Sequence, residues 1–171
     1  MDYAMESVAF GTPVVEVGWI GYQFQFQQNA YDLVSAQLAT KAYVINAIAT
    51  GIVKYIIRRE RPKRNYQPRL WNTRITPSFP SGHVAASATF ATIASARYPK
   101  FTLPLSAFAI ISAYSQVYVG NHYVSDVLGG LAIGFLIGKL VLIPDKETSS
   151  SPQPRMVSPK PPLNLTFHIP L

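Results

Sequence analysis

Val124–Ile143 reads VSDVLGGLAIGFLIGKLVLI. A bilayer core about 30 Å thick needs about 20 apolar residues in a helix, and this stretch meets that length. Lys139 stands near its end. Gly130, Gly134 and Gly138 recur every fourth residue, and small residues at that spacing let helices approach closely inside a bilayer. Glycine is also common in membrane helices generally. Both explanations place the stretch in a packed bundle. Toward the N-terminus, Leu103–Val119 and Gly82–Tyr98 are shorter and rich in Ala, Ser and Ile. Leu33–Ile57 is longer and is interrupted by Lys41 and Lys54, and Val8–Phe26 carries Pro13, Glu16 and several glycines. The pattern predicts four spans and a weaker fifth.

Composition agrees. The chain has 171 residues, enough for one domain of ordinary size. It is 49% hydrophobic and 13% charged, against roughly 25% charged in an average soluble domain. A soluble bundle with buried helices is the competing architecture. Most of the polar weight, however, sits in the Arg58–Phe79 loop and the C-terminal tail, which favours membrane insertion. There are no cysteines, so neither a disulfide framework nor a thiolate metal site can be built. The acidic start, Met1 to Glu6, lacks the basic region of a secretory signal peptide. From Pro144 onward Pro, Ser, Thr and Lys dominate, and such a segment cannot bury enough apolar surface to offset its chain entropy. Residues 1–143 are therefore expected as the membrane domain and 144–171 as an extended or disordered tail. His168 falls in that tail.

Net charge is +7, but seven of the fifteen basic residues lie between Arg58 and Arg74. A local basic patch is compatible with nucleic-acid binding. Here apolar spans flank it, and no nucleic-acid partner is expected. For Lys63, Arg64, Arg69 and Arg74 a topology signal or headgroup attraction is the simpler role.

Three strings carry chemistry. They are Lys54-(x6)-Arg61-Pro62, Pro80-Ser81-Gly82-His83, and Ser115-Gln116-(x5)-His122-(x3)-Asp126. Alternating the spans across a bilayer places all three on one face. Pro80-Ser81-Gly82-His83 opens a helix, whose N-terminus offers free N–H groups and partial positive charge to an anion. Ser81 can cap that helix or donate to an oxyanion, and Gly82 lets a ligand approach the backbone. Lys54 and Arg61 add cations suited to phosphate oxygens. His122 and Asp126, four apart, share a helical face. A carboxylate beside an imidazole fixes its tautomer and leaves the other nitrogen as nucleophile or base. A capped helix with a nearby Asp is the plainer explanation of that pair, but a carboxylate near a span is costly unless paired. Two histidines and an aspartate could also hold zinc; the surrounding cations would repel it, so no metal and no cofactor are expected.

The three strings together resemble the type 2 phosphatidic acid phosphatase superfamily of membrane lipid phosphatases, which shares its core with vanadium-dependent haloperoxidases and glucose-6-phosphatase. The resemblance runs from about Lys54 to Asp126 and into the Gly-rich last span. It implies an all-α, integral membrane bundle of about five to six helices around a phosphatase core. It further implies that His122 attacks phosphorus to form a phosphohistidine, Asp126 orients His122, and His83 protonates the leaving group and later activates water. Lys54, Arg61, Ser81, Gly82 and the residue at Gln116 would bind the phosphoryl oxygens.

The implied substrate is a phosphorylated lipid. Phosphatidate, phosphatidylglycerol phosphate, polyprenyl diphosphate and lipid A phosphate all remain open, with membrane lipids as the surroundings and the oligomeric state unspecified. The implied site is an inner or plasma membrane with the active site on the extracytoplasmic face. Gln116 departs from the pattern, which carries a second phosphate-binding arginine there. An uncharged residue at that position keeps a second possibility open, a non-catalytic lipid-phosphate-binding or scaffold protein on the same fold. The superfamily commonly has six spans, where this chain offers four or five.

Overall fold

A computed structural model describes residues 3–26, 29–62 and 77–149. Among the described residues the chain forms five α-helices: α1 (Tyr3–Phe26), α2 (Ala30–Ile57), α3 (Gly82–Arg97), α4 (Thr102–Tyr118) and α5 (Val124–Ser149), with a short 3₁₀ turn at Pro99–Phe101 before α4. This is the all-helical bundle expected. The weakest predicted span, Val8–Phe26, lies wholly within α1. Helix α5 continues past residue 143 into the segment expected as tail. Residues 150–171, with His168, and the basic residues Lys63, Arg64, Arg69 and Arg74 lie outside the described residues.

Helix α3 is the hub and touches all four of the others. Its sequence explains why. Ala85, Ala86, Ala88, Ala91 and Ala94 are all buried, and such short side chains let neighbouring backbones come close. The tightest seam is with α5. A Cβ at Gly130 would lie 2.6 Å from the Ser81 carbonyl, one at Gly138 2.7 Å from Thr92 Cβ, and one at Gly134 would collide with the Ala85 carbonyl. Thr89 Oγ1 uses the close approach to donate to the Gly134 carbonyl at 3.1 Å. The every-fourth-residue glycines are thus the contact face of α5.

The outside of the bundle is apolar. Ile48, Ile52 and Ile56 on α2, Ile110 on α4, and Leu128, Leu136 and Leu140 on α5 are each more than half exposed. Apolar surface of this extent, spread over several helices, is that of a membrane-embedded bundle. By length and hydropathy alone, among the described residues only Val124–Ile143 qualifies as a span, with mean hydropathy 2.0. Helices α3 and α4 have 16 and 17 residues, about 24–26 Å at the α-helical rise, and the buried polar side chains of α1 dilute its average.

Candidate active site

The C-terminal ends of α2 and α4 and the N-terminal ends of α3 and α5 meet at one end of the bundle. The turn between α4 and α5 is closed by Gly120, whose φ of 73° suits the left-handed region that glycine enters without strain. Beyond it, the Asn121 and His122 N–H groups both donate to the Gln116 carbonyl, at 3.1 and 3.2 Å. His122 is thereby held by the backbone before its side chain makes any contact. The Ser81 N–H donates to the Asp126 carbonyl at 2.9 Å, which ties the start of α3 to the start of α5.

His122 is 3% exposed. Its Nδ1 faces Asp126 Oδ2 at 3.5 Å and Ser78 Oγ at 3.4 Å. Ser78 in turn donates its proton to Asp126 Oδ2, so both groups facing Nδ1 are acceptors. The Arg61 guanidinium donates to Nε2 at 3.2 Å. Acceptors on one side and a donor on the other select one neutral tautomer: Nδ1 carries the proton and Nε2 carries the lone pair. Burial, with Arg61 and Lys54 adding positive charge nearby, pushes the His122 pKa down to about 4 against the opposing pull of Asp126. The ring is therefore neutral at ordinary pH.

Asp126 is fully buried and has four partners. Arg59 meets Oδ1 at 2.9 Å. Ser78, His122 and the Tyr123 N–H, at 2.9 Å, share Oδ2. The last contact is a helix cap. Asp126 is the third residue of α5 and reaches back to a first-turn donor that the helix leaves unpaired. The cap is made by the carboxylate and not by the histidine, so Asp126 both caps a helix and backs an imidazole.

Of the phosphate-binding candidates, Lys54, Arg61 and Gly82 line one cavity of about 480 Å³, together with His83 and His122. Lys54 Nζ donates to the carbonyls of Pro77, Ser78 and Pro80 at 3.0, 3.3 and 2.6 Å, which fixes the ammonium against the loop before α3. Arg61 also donates to the Asn121 carbonyl at 3.0 Å. A Cβ added at Gly82 would sit 3.9 Å from Lys54 Cε with nothing nearer, so the space glycine leaves is open to a ligand. Ser81 precedes α3 but makes no side-chain cap; its buried Oγ has no partner among the described residues. His83 lines the cavity one residue into α3 and packs edge-on against Phe10.

Gln116 is placed differently. It is 1% exposed, its Nε2 donates to the Ala9 carbonyl of α1 at 2.6 Å, and its Oε1 accepts from Asn121 Nδ2 at 3.2 Å. The amide pins α4 to α1 and steadies the turn carrying His122, and Gln116 is not among the residues lining the cavity. Arg59 is paired with Asp126 and Ser125 and stacked 4.1 Å from the Tyr123 ring centroid. Motif spacing did not single out Ser78, Asn121 or Arg59. Only Ser78 left a trace, as a hydroxyl two residues before the Pro80-Ser81-Gly82-His83 string.

A family model described as the PAP2 superfamily matches residues 37–148. The undecaprenyl-diphosphatase BcrC of Bacillus subtilis (strain 168) is 36% identical over 63 residues, covering 37% of this chain and 33% of that protein. A decaprenylphosphoryl-5-phosphoribose phosphatase of Mycobacterium tuberculosis is 36% identical over 100 residues, covering 58% and 55%. The chain thus spans about half the length, or less, of these curated relatives. The crystal structure of a transmembrane PAP2 type phosphatidylglycerolphosphate phosphatase from Bacillus subtilis matches with a TM-score of 0.66 at 22% identity, over 85% of this chain and 76% of that one. At that identity the likeness is one of fold.

Proposed function

We propose, from the premise that this chain belongs to the PAP2 superfamily, that it is a lipid phosphatase acting through His122 without a metal. One observation carries the proposal. Nε2 of a buried neutral imidazole lies at a cavity wall, backed at Nδ1 by Asp126 and Ser78 and flanked by Arg61 and Lys54. A nucleophile of that kind needs a phosphorus atom held still and charge placed where the equatorial oxygens will be.

In the proposed reaction, Lys54, Arg61, the Ser81 hydroxyl and the first amides of α3 hold the phosphoryl oxygens. His122 Nε2 forms a bond to phosphorus as the ester P–O bond breaks, and the leaving oxygen takes a proton from His83. Water then attacks the phosphohistidine, His83 accepts a proton from it, and the P–N bond breaks to release phosphate. Asp126 stabilises the imidazolium that exists between the two steps. The charge that a second arginine would bring is absent at Gln116, which serves the scaffold, so Lys54 and Arg61 carry the anion.

Substrate candidates are the phosphorylated lipids named by the relatives, a polyprenyl diphosphate, a polyprenyl-linked phosphoribose or phosphatidylglycerol phosphate, together with phosphatidate and lipid A phosphate. Phosphate release from these lipids by the purified protein, in detergent with EDTA present, tests the reading. Release that His122→Ala abolishes supports it. Equal release by His122→Ala and the unaltered chain would remove His122 from the reaction, and no release by either would leave the non-catalytic alternative.

The active-site end is proposed to face the extracytoplasmic side of the inner or plasma membrane. Arg59 and Arg61 have partners within the site, so they need no separate explanation as cytoplasmic topology signals. Because the chain has no cysteine, an Arg58→Cys variant reports directly. Labelling by a membrane-impermeant maleimide in intact cells is expected, and labelling only after lysis would reverse the orientation.

A further inference from the structure

The cavity does not end at the phosphate-binding residues. It continues along α2, where Thr50, Asn46 and Tyr43 line it after Lys54. These four residues are spaced by three or four, so they form one stripe on one helical face. From Lys54 to Asn46 the stripe runs about 12 Å, and to Tyr43 about 16 Å. A phosphoryl group held against Lys54, Arg61 and His122 leaves this length for the group attached to it.

The stripe is polar in a particular way. The Tyr43 hydroxyl donates to Glu16 Oε2 at 2.8 Å, so its oxygen is left as an acceptor. The Thr50 hydroxyl donates to the Asn46 carbonyl at 2.7 Å, with the same result. Asn46 is 3% exposed, and its Oδ1 has no partner among the described residues. An amide buried to that degree without a partner is uncommon, because the desolvation is not recovered. Of the residues lining the cavity, the cations stand at the His122 end.

We propose that Asn46, with Tyr43 and Thr50, is a second subsite that receives the free hydroxyls of the leaving alcohol. This rests on the phosphatase reading and narrows its substrate to phosphomonoesters of a glycerol-like or sugar-like alcohol attached to a lipid. A wall of acceptors wants donors. An isoprenoid chain offers none, and the ester carbonyls of phosphatidate are acceptors only. A second phosphate would meet acceptors where it needs cations. A hydroxyl can donate to the orphaned Asn46 Oδ1, which neither an ester carbonyl nor a phosphate oxygen can do. A site built to hydrogen-bond a hydroxyl rejects the analogue that lacks it, because its own buried group is left unpaired.

The test uses the full chain in detergent with three probes. These are phosphatidylglycerol phosphate, the same lipid with the hydroxyl of its terminal glycerol replaced by hydrogen, and phosphatidate. The unaltered protein is expected to hydrolyse the hydroxylated lipid with kcat/KM about 10- to 100-fold above the deoxy analogue. Asn46→Leu is expected to erase that preference, bringing the kcat/KM ratio of the hydroxylated to the deoxy lipid to about one. Equal rates on the hydroxylated and deoxy lipids in the unaltered protein would overturn the proposal with no variant needed, and the phosphatase reading would survive. Asn46→Leu losses in equal proportion on all three lipids would reduce Asn46 to a packing residue. No release from any probe would overturn the phosphatase reading and this inference together.

Discussion

Two of the buried polar clusters among the described residues differ in almost everything but burial. One lies at the rim, where Arg59, Arg61, Ser78, His122 and Asp126 join four helix ends. The other lies inside the bundle, where Glu16 of α1 accepts from Tyr43 of α2 at 2.8 Å and from Ser87 of α3 at 2.6 Å. Ser87 continues to Ser112 of α4 at 3.1 Å. The rim cluster contains cations, an imidazole and a carboxylate held in unlike environments, which is how acid, base and nucleophile are told apart. The interior cluster contains one carboxyl group satisfied by hydroxyls, with a member on each of four helices, which is how helices are joined where apolar contact drives nothing. Burial of polar groups therefore does not by itself mark a catalytic site; the mixture of charges does.

Substitutions can break that contrast. The largest effect is expected from His122→Ala, a loss of at least about 10⁴-fold in kcat with the fold retained, as for removal of other catalytic nucleophiles. Phosphate release and thermal unfolding measured together check it; a marked fall in unfolding temperature would make His122 a structural residue. Asp126→Asn comes next. The amide can still accept from the Tyr123 N–H, so the helix cap survives while the charge that supports the imidazolium is lost. A fall of about 10³–10⁴-fold in kcat with little change in KM is expected, and an unchanged kcat would confine Asp126 to capping.

Glu16→Ala probes the other cluster. It removes the acceptor shared by the Tyr43 and Ser87 hydroxyls and is expected to destabilise the protein by about 1–3 kcal/mol, read as a lower unfolding temperature in detergent. Below that temperature kcat is expected within about tenfold of the unaltered chain. A loss comparable to His122→Ala would place Glu16 in the reaction and dissolve the distinction.

The smallest effect is in the pH profile. Burial holds the His122 pKa down at about 4, below about 6.5 for an ordinary histidine, so the proposed nucleophile stays unprotonated well into acid. The acid limb of kcat/KM is expected clearly below pH 6. For stability the sign follows from the depressed pKa: the unfolded chain takes up the proton first. His122 therefore weakens the fold as pH falls from about 6.5 toward 4, by at most about 1.4 kcal/mol per pH unit. An acid limb at 6.5 would show that the ring is solvated in the working enzyme.

Helix α5 was legible because its length, hydropathy and four-residue glycine spacing are all local properties. So was the association of the three strings, since alternating spans bring their ends to one face. Helix α1 was barely legible. Pro13 and Glu16 lower its apolar character, and the partners that make Glu16 tolerable, Tyr43 and Ser87, are 27 and 71 residues away. Gln116 shows the same limit. Its position in the motif implied a phosphate contact, whereas its side chain reaches back 107 residues to Ala9.

By itself, then, the sequence determined the helical, membrane-embedded class, the identity of the histidine and carboxylate pair, and the end of the bundle where they lie. These follow from periodicity and from residue types fixed along one chain. Only the tertiary structure decided which nitrogen of His122 carries the lone pair, that Ser78 and Arg59 complete the Asp126 environment, that Gln116 belongs to the scaffold, and that the cavity runs on to Asn46. Each of these depends on atoms brought together from distant helices, and a hydrogen bond's direction exists only once both partners are in place.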